Sequence, residues 1–106
     1  MILFAIDPGV NGACSIYVDR KLCKIFDVPT MTDGKKNKKQ INAAQLSKIV
    51  KQTIEDQKEE ISVIIERVSA MPGQGVTSMF NFGQSFGVIK GICSALNLPI
   101  YFVRPT

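Results

Sequence analysis

Two acidic residues stand where apolar runs end. The opening run Ile2-Leu3-Phe4-Ala5-Ile6 closes on Asp7-Pro8-Gly9, and the later run Ile61-Ser62-Val63-Ile64-Ile65 closes on Glu66. If the two runs are parallel neighbours in a sheet, both acids open on the same edge, where α/β proteins place ligands. Carboxylates held close together there repel each other and are partly desolvated, and a divalent cation relieves both problems at once. Such a pair is the starting kit for metal-assisted phosphodiester hydrolysis, in which cations about 3.5–4 Å apart activate a water and stabilise the leaving oxygen. Hard cations want about six oxygen ligands each, so two acids alone do not complete a two-ion site. The competing reading is structural: an acid at a strand end often caps the turn that follows.

The elements that must position these acids are legible in the pattern. Residues 13–18 and 22–28 are two further strands joined by the polar Asp19-Arg20-Lys21, so the first three strands form an antiparallel meander. Residues 29–42, with Pro29, Gly34 and the lysine run, break the pattern and read as a loop. Asn42 caps a helix whose apolar positions Ala43, Leu46, Ile49, Val50 and Ile54 recur at helical spacing. It ends near residue 57, because Glu55, Asp56, Glu59 and Glu60 put negative charge where the macrodipole disfavours it. After the strand that ends on Glu66 comes a loop over 71–75, a long helix over 76–97, and a last short strand over 100–103. The order β-β-β-α-β-α-β gives a mixed five-stranded sheet, a three-strand antiparallel meander followed by parallel strands, with helices on its faces. At 106 residues with 45% hydrophobic content, the chain suits a single domain with a packed core.

Thirteen Lys and Arg against nine Asp and Glu give a formal charge of +4, compatible with a polyanionic partner. Lys35, Lys36, Lys38 and Lys39 concentrate that charge and could contact phosphates, which position nucleic acid without reading its sequence; a solvated loop is the plainer reading. The chain has no histidine, and Cys14, Cys23 and Cys93 make an odd set without a C-x-x-C pair, so the usual zinc sets are missing. A hairpin turning near Arg20 does not set Cys14 opposite Cys23, which points to reduced thiols and a cytoplasmic setting. No apolar run approaches the roughly 20 residues that span a bilayer.

Three stretches bear a family resemblance. Ala5-Ile6-Asp7-Pro8-Gly9-Val10-Asn11-Gly12-Ala13 resembles the opening motif of RuvC-type Holliday-junction resolvases of the ribonuclease H-like superfamily. Ile64-Ile65-Glu66-Arg67 is similar to the second motif, and Phe82-Gly83-Gln84-Ser85-Phe86-Gly87 to the helix that follows it. Met71-Pro72-Gly73-Gln74-Gly75 looks like phage and prophage relatives more than the housekeeping enzyme. The resemblance implies a ribonuclease H-like fold, dependence on Mg²⁺ or Mn²⁺, a homodimer, and cutting of branched DNA in a bacterial or phage-infected cytoplasm, with Asp7 and Glu66 as the first two catalytic, metal-binding acids. The family also supplies acids, or an acid and a histidine, on a helix after the fifth strand; this sequence ends at Thr106 before such a helix, so half of the ligand set is expected here. In the related nucleases the segment after the second acid lies by the junction centre, which implies that Met71 or Gln74 contacts unpaired bases; an ordinary strand-to-helix turn is the alternative.

Gly83, Gly87 and Gly91 repeat every fourth residue and lay a smooth stripe along one helix face, at up to about 1 kcal/mol each relative to alanine. Close approach of a backbone would compensate, either within the chain or, as the resemblance implies, across a dimer. Phe80, Phe82 and Phe86 cannot share one helix face, and most of them are expected in the core. Two rival functions remain: a branched-DNA-binding module that does not cut, and a nucleotide-phosphate-binding protein of the actin–Hsp70 group, whose phosphate loop also opens with Asp-x-Gly after a first strand.

Overall fold

A computed structural model describes residues 1–32, 34, 38–56, 60–66 and 75–103 of the chain. Strands β1 (Ile2–Ile6), β2 (Ala13–Val18) and β3 (Lys21–Asp27) form the expected meander. The β2–β3 turn is only two residues long, and Asp19 (φ 49°) and Arg20 (φ 71°) both adopt left-handed backbone, the type I′ geometry that matches strand twist. A bulge between Ile16 and Tyr17 sets Ile16 opposite Lys24 and Tyr17 opposite Leu22. Cys14 consequently faces Phe26, and Cys23 is exposed.

Residues 29–42 are not a simple loop. Thr30–Thr32 (β4) and Lys39–Ile41 (β5) pair as a short antiparallel ribbon, extended by a 2.8 Å hydrogen bond from Asn42 N to Pro29 O. Three-residue strands bury too little to leave a period-2 signal, and the lysines between them mask the pairing. Helix α1 (Ala43–Asp56) starts where Asn42 Oδ1 accepts the Gln45 N–H at 3.1 Å and ends on the acidic pair. Strand β6 (Ile61–Glu66), helix α2 (Val76–Ala95) and strand β7 (Ile100–Val103) complete the chain. Past α2, Asn97 turns left-handed (φ 58°) while Leu98 N bonds Cys93 O and Asn97 N bonds Ser94 O, the Schellman termination.

The main sheet runs β3-β2-β1-β6-β7, with β6 parallel to both of its neighbours. Alternation along β1 buries Ile2, Phe4 and Ile6, which join Val63 and Ile65 of β6 and Cys14 and Ile16 of β2. Leu46 and Val50 of α1 and Ile89 and Cys93 of α2 pack into that same cluster, so both helices lie on one face. The other face carries Leu3, Ala5, Tyr17 and Ile64, half-buried, with Ile25 and Tyr101 exposed. Among the described residues, no helix is long and apolar enough to cross a membrane.

Candidate metal and nucleic-acid site

The parallel register fixes the relation between the two acids. Ile2 pairs with Ile61 and so on to Ile6 with Ile65, which puts Asp7 and Glu66 at the next position on adjacent strands. Strand spacing places their backbones about 4.8 Å apart. Glu66 remains inside β6, opposite Val103 of β7, whereas Asp7 is the first residue beyond β1. Asp27, at the end of β3, pairs with Ala13 and reaches the same edge two strands farther along, too far at about 10 Å to share one ion with Asp7.

The loop after Asp7 is shaped by backbone. Asp7 N donates to Ala13 O and Gly12 N to Gly9 O, each at 3.0 Å, and Gly12 O accepts Val28 N at 3.1 Å. Gly12 is a glycine for want of space: a Cβ there would lie 2.3 Å from the Asp7 carbonyl oxygen. Pro8 is buried and anchors the turn, while the Asp7 side chain is exposed and makes no hydrogen bond among the described residues. An acid that caps nothing is freer to bind a cation, which weighs against the turn-capping reading of Asp7.

Asp7 borders a cleft of about 380 Å³ between this loop and α2. Gly9 to Gly12 form one wall; Asn81, Phe82 and Ser85 form the other. Of these α2 residues, Phe82 and Ser85 belong to the family-like motif but are given no site role by the sequence, and Asn81 is not singled out by it. Their signal was there: Asn81 and Ser85 are a polar pair one turn apart in a helix otherwise rich in apolar and glycine residues. Beside Asp7, Cys14 is buried and its thiol is pushed up to about 12, first by burial, then by the Cys93 thiol and the Asp7 carboxylate. Cys93 is raised to about 11 by burial. Neither thiol is a ready thiolate ligand, and the hard oxygens of the cleft suit Mg²⁺ or Mn²⁺ better. Among the described residues, no group of three or more His, Cys, Asp or Glu could hold an ion. Asp7 is the one carboxylate that lines the cleft among the described residues, and Mg²⁺ is commonly bound by only one or two protein carboxylates, with the rest of its ligands coming from elsewhere. A larger recess of about 600 Å³, bounded by Met1, Leu3, Tyr17, Asp19 and Arg20, sits at the opposite edge of the sheet, away from both strand-end acids.

Of the other sequence candidates, Lys38 and Lys39 are exposed on the β4–β5 ribbon, and β5 packs against α2. Lys35, Lys36, Met71 and Gln74 lie outside the described residues. Gly83, Gly87 and Gly91 are exposed, and a Cβ on any of them would have no atom within 4 Å; the stripe does not serve close packing within the described chain. Phe82 and Phe86 are half-buried, with Phe86 stacked on Phe102 at a centroid distance of 5.6 Å. Phe80 departs from the expected core and is 70% exposed, because its position falls on the side of α2 away from Ser85 and Ile89.

No protein-family model and no curated protein matches this chain. Among solved structures, Thermus thermophilus RuvC in complex with a Holliday junction substrate aligns over 99% of this chain with a TM-score of 0.71 and 16% identity. A second structure of Thermus thermophilus RuvC aligns over 99% with a TM-score of 0.53 and 14% identity. The chain spans 65% and 64% of the lengths of those two chains. With identity this low the likeness lies in the path of the backbone, from the meander through the parallel β1–β6 pair to the strand after α2. The chain has the ribonuclease H-like fold of the RuvC resolvases.

Proposed function

We propose that the chain acts in divalent-metal-dependent, structure-selective cleavage of branched DNA, with Asp7 and Glu66 as the metal-binding, catalytic acids. The observation that carries this reading is the parallel register, which sets two carboxylate residues side by side at one edge of the sheet. Support comes from the fold, since the structure aligned at TM-score 0.71 is RuvC in complex with a Holliday junction substrate. The net charge of +4 and the exposed Lys38 and Lys39 favour a polyanion.

In this reading Asp7 and Glu66 would hold a Mg²⁺ or Mn²⁺, which would supply activation of a water and charge compensation at the phosphate. The chain's own residues do the rest. The β1–β6 pairing holds the two acids in place before the ion or DNA arrives, so little reorganisation is needed on binding. The Gly9–Gly12 wall, free of bulky side chains except Val10, lets a phosphate approach Asp7 closely. Lysines of the β4–β5 ribbon draw DNA toward α2 by charge alone. The open stripe of Gly83, Gly87 and Gly91 is the surface on which a second copy would pack to form the homodimer.

A second reading, a branched-DNA-binding module that does not cut, is favoured by the lack of a three-ligand cluster among the described residues. One gel separates the two: the chain with a labelled four-way junction and a linear duplex, with and without Mn²⁺. Metal-dependent cutting of the junction, lost in Asp7→Asn and in Glu66→Gln, is the expected result. Retardation of the junction without cutting supports the binding module. Absence of any preference for the junction refutes both.

A further inference from the structure

The Asp7 cleft and the lysine-bearing ribbon are joined by polar side chains to which no role has yet been given. Asn81 and Ser85 line the cleft; Gln84 and Ser85, with Gln40 of β5, line a small recess immediately beside it. Ser85 is buried and borders both, so the two hollows are neighbours along α2 with Ser85 between them. Asn81 and Gln84 are exposed and one turn apart, and Gln40 follows Lys38 and Lys39 directly. The linings link these groups stepwise: Gln40 meets Gln84 in the recess, Asn81 meets Asp7 in the cleft, and Ser85 borders both.

Charge explains why these groups are amides. Among the described residues no Lys or Arg lines the cleft, although the chain has 13 of them. A lysine there would pair with Asp7 and compete with a cation for it. An amide N–H₂ donates to a phosphate oxygen and leaves the carboxylate free. Resting on the nucleic-acid reading above, we infer that Gln40, Gln84 and Asn81 form an uncharged rail that hydrogen-bonds the sugar-phosphate backbone of one DNA strand and guides it from the lysines to Asp7. They are positioning residues: the lysines supply attraction, the amides supply register.

The test compares Asn81→Ala/Gln84→Ala with Lys38→Ala/Lys39→Ala by gel retardation of a four-way junction in EDTA, over a series of salt concentrations. Losing hydrogen bonds to charged phosphate weakens binding by about tenfold per bond. Neutral donors release no counterions, so the amide variant keeps the wild-type salt slope. The lysine variant flattens it by about 1.8, two phosphates at roughly 0.9 each. Asn81→Asp, which is isosteric but places negative charge at the phosphate, weakens binding more than Asn81→Ala. Thermal melting confirms that each variant folds. Wild-type affinity in the amide double variant overturns the rail while leaving the lysine assignment intact. A changed salt slope in that variant also overturns it, since the effect would then act through charge. If wild-type protein retains neither junction nor duplex, the rail and the nucleic-acid reading fall together.

Discussion

Replacing Gly12 with alanine tests whether backbone clearance holds Asp7 in place. The new Cβ would sit 2.3 Å from the Asp7 carbonyl oxygen, and 3.0 Å from both the Asp7 carbonyl carbon and the Gly9 oxygen. All three are backbone atoms, so no side chain can swing away and the loop itself must move by about 1 Å to restore ordinary contact. That movement strains the Gly12–Gly9 and Val28–Gly12 hydrogen bonds, which are 3.0 and 3.1 Å long, and the neighbouring Asp7–Ala13 bond. Overpacking costs roughly 1–3 kcal/mol and each of the three weakened bonds about 0.5–1.5 kcal/mol, so the substitution should destabilise the fold by roughly 2.5–7.5 kcal/mol. For a domain of this size the melting temperature falls by on the order of 10 °C or more. Gly9→Ala is the control in the same loop: its Cβ would meet nothing closer than 3.8 Å, and stability should change by no more than about 0.5 kcal/mol. Equilibrium urea unfolding of the two variants and wild type measures both. Equal stability of the Gly12 and Gly9 variants would refute the clearance argument and the account of the loop built on it.

Three further outcomes are expected. Asn42→Ala removes the cap on α1 and costs about 1 kcal/mol in thermal melts, whereas Asn42→Asp retains most of it. Gly87→Ala stabilises an isolated chain by roughly 0.5–1 kcal/mol through helix propensity, while Gly87→Leu converts any dimer formed on that face to monomer in sedimentation; a Gly87→Leu dimer would place the interface elsewhere. The thiols of Cys14 and Cys93, at about 12 and about 11 against an ordinary 9.0, stay protonated in the fold at a pH where the unfolded chain ionises. Their contribution is therefore intact below pH 9 and is lost as pH rises toward about 11 for Cys93 and about 12 for Cys14, at up to about 1.4 kcal/mol per pH unit for each thiol. Urea midpoints between pH 8 and 10 should fall less steeply in Cys14→Ala than in wild type.

The parts of the fold that were legible in the sequence were those with a strong period or a hard stop. Ile2–Ile6 and Ile61–Glu66 end on acids, Asn42 offers its side chain to an N–H three residues on, and Asn97-Leu98-Pro99 follows the second helix; each left a local mark. The β4–β5 ribbon left none, because Thr30–Thr32 and Lys39–Ile41 are held mostly by pairing with each other. The cleft shows the same division. Asp7 could be read from its own strand, but Asn81 and Ser85 acquire meaning only when α2 folds back over the Gly9–Gly12 loop. Glycine spacing identified the stripe on α2 yet could not decide what it faces. That required knowing that Ile89 and Cys93, on the other side, point into the core.

The central strand β1 is completed in two steps that differ in kind. Its β2 side closes through nearby residues and a two-residue turn in the next hairpin, so much of the meander can form locally. Its β6 side waits for a partner delivered beyond α1, and closing so long a loop carries an entropic cost before any contact rewards it. Asp7 can thus be in place early, while Glu66 reaches it only with the slow, nonlocal closure. The acid pair does not exist in a partly folded chain. Under the metal-binding role proposed for Asp7 and Glu66, a cation that prefers the pair would draw the equilibrium toward the closed sheet, and ion binding would become a check that folding has finished.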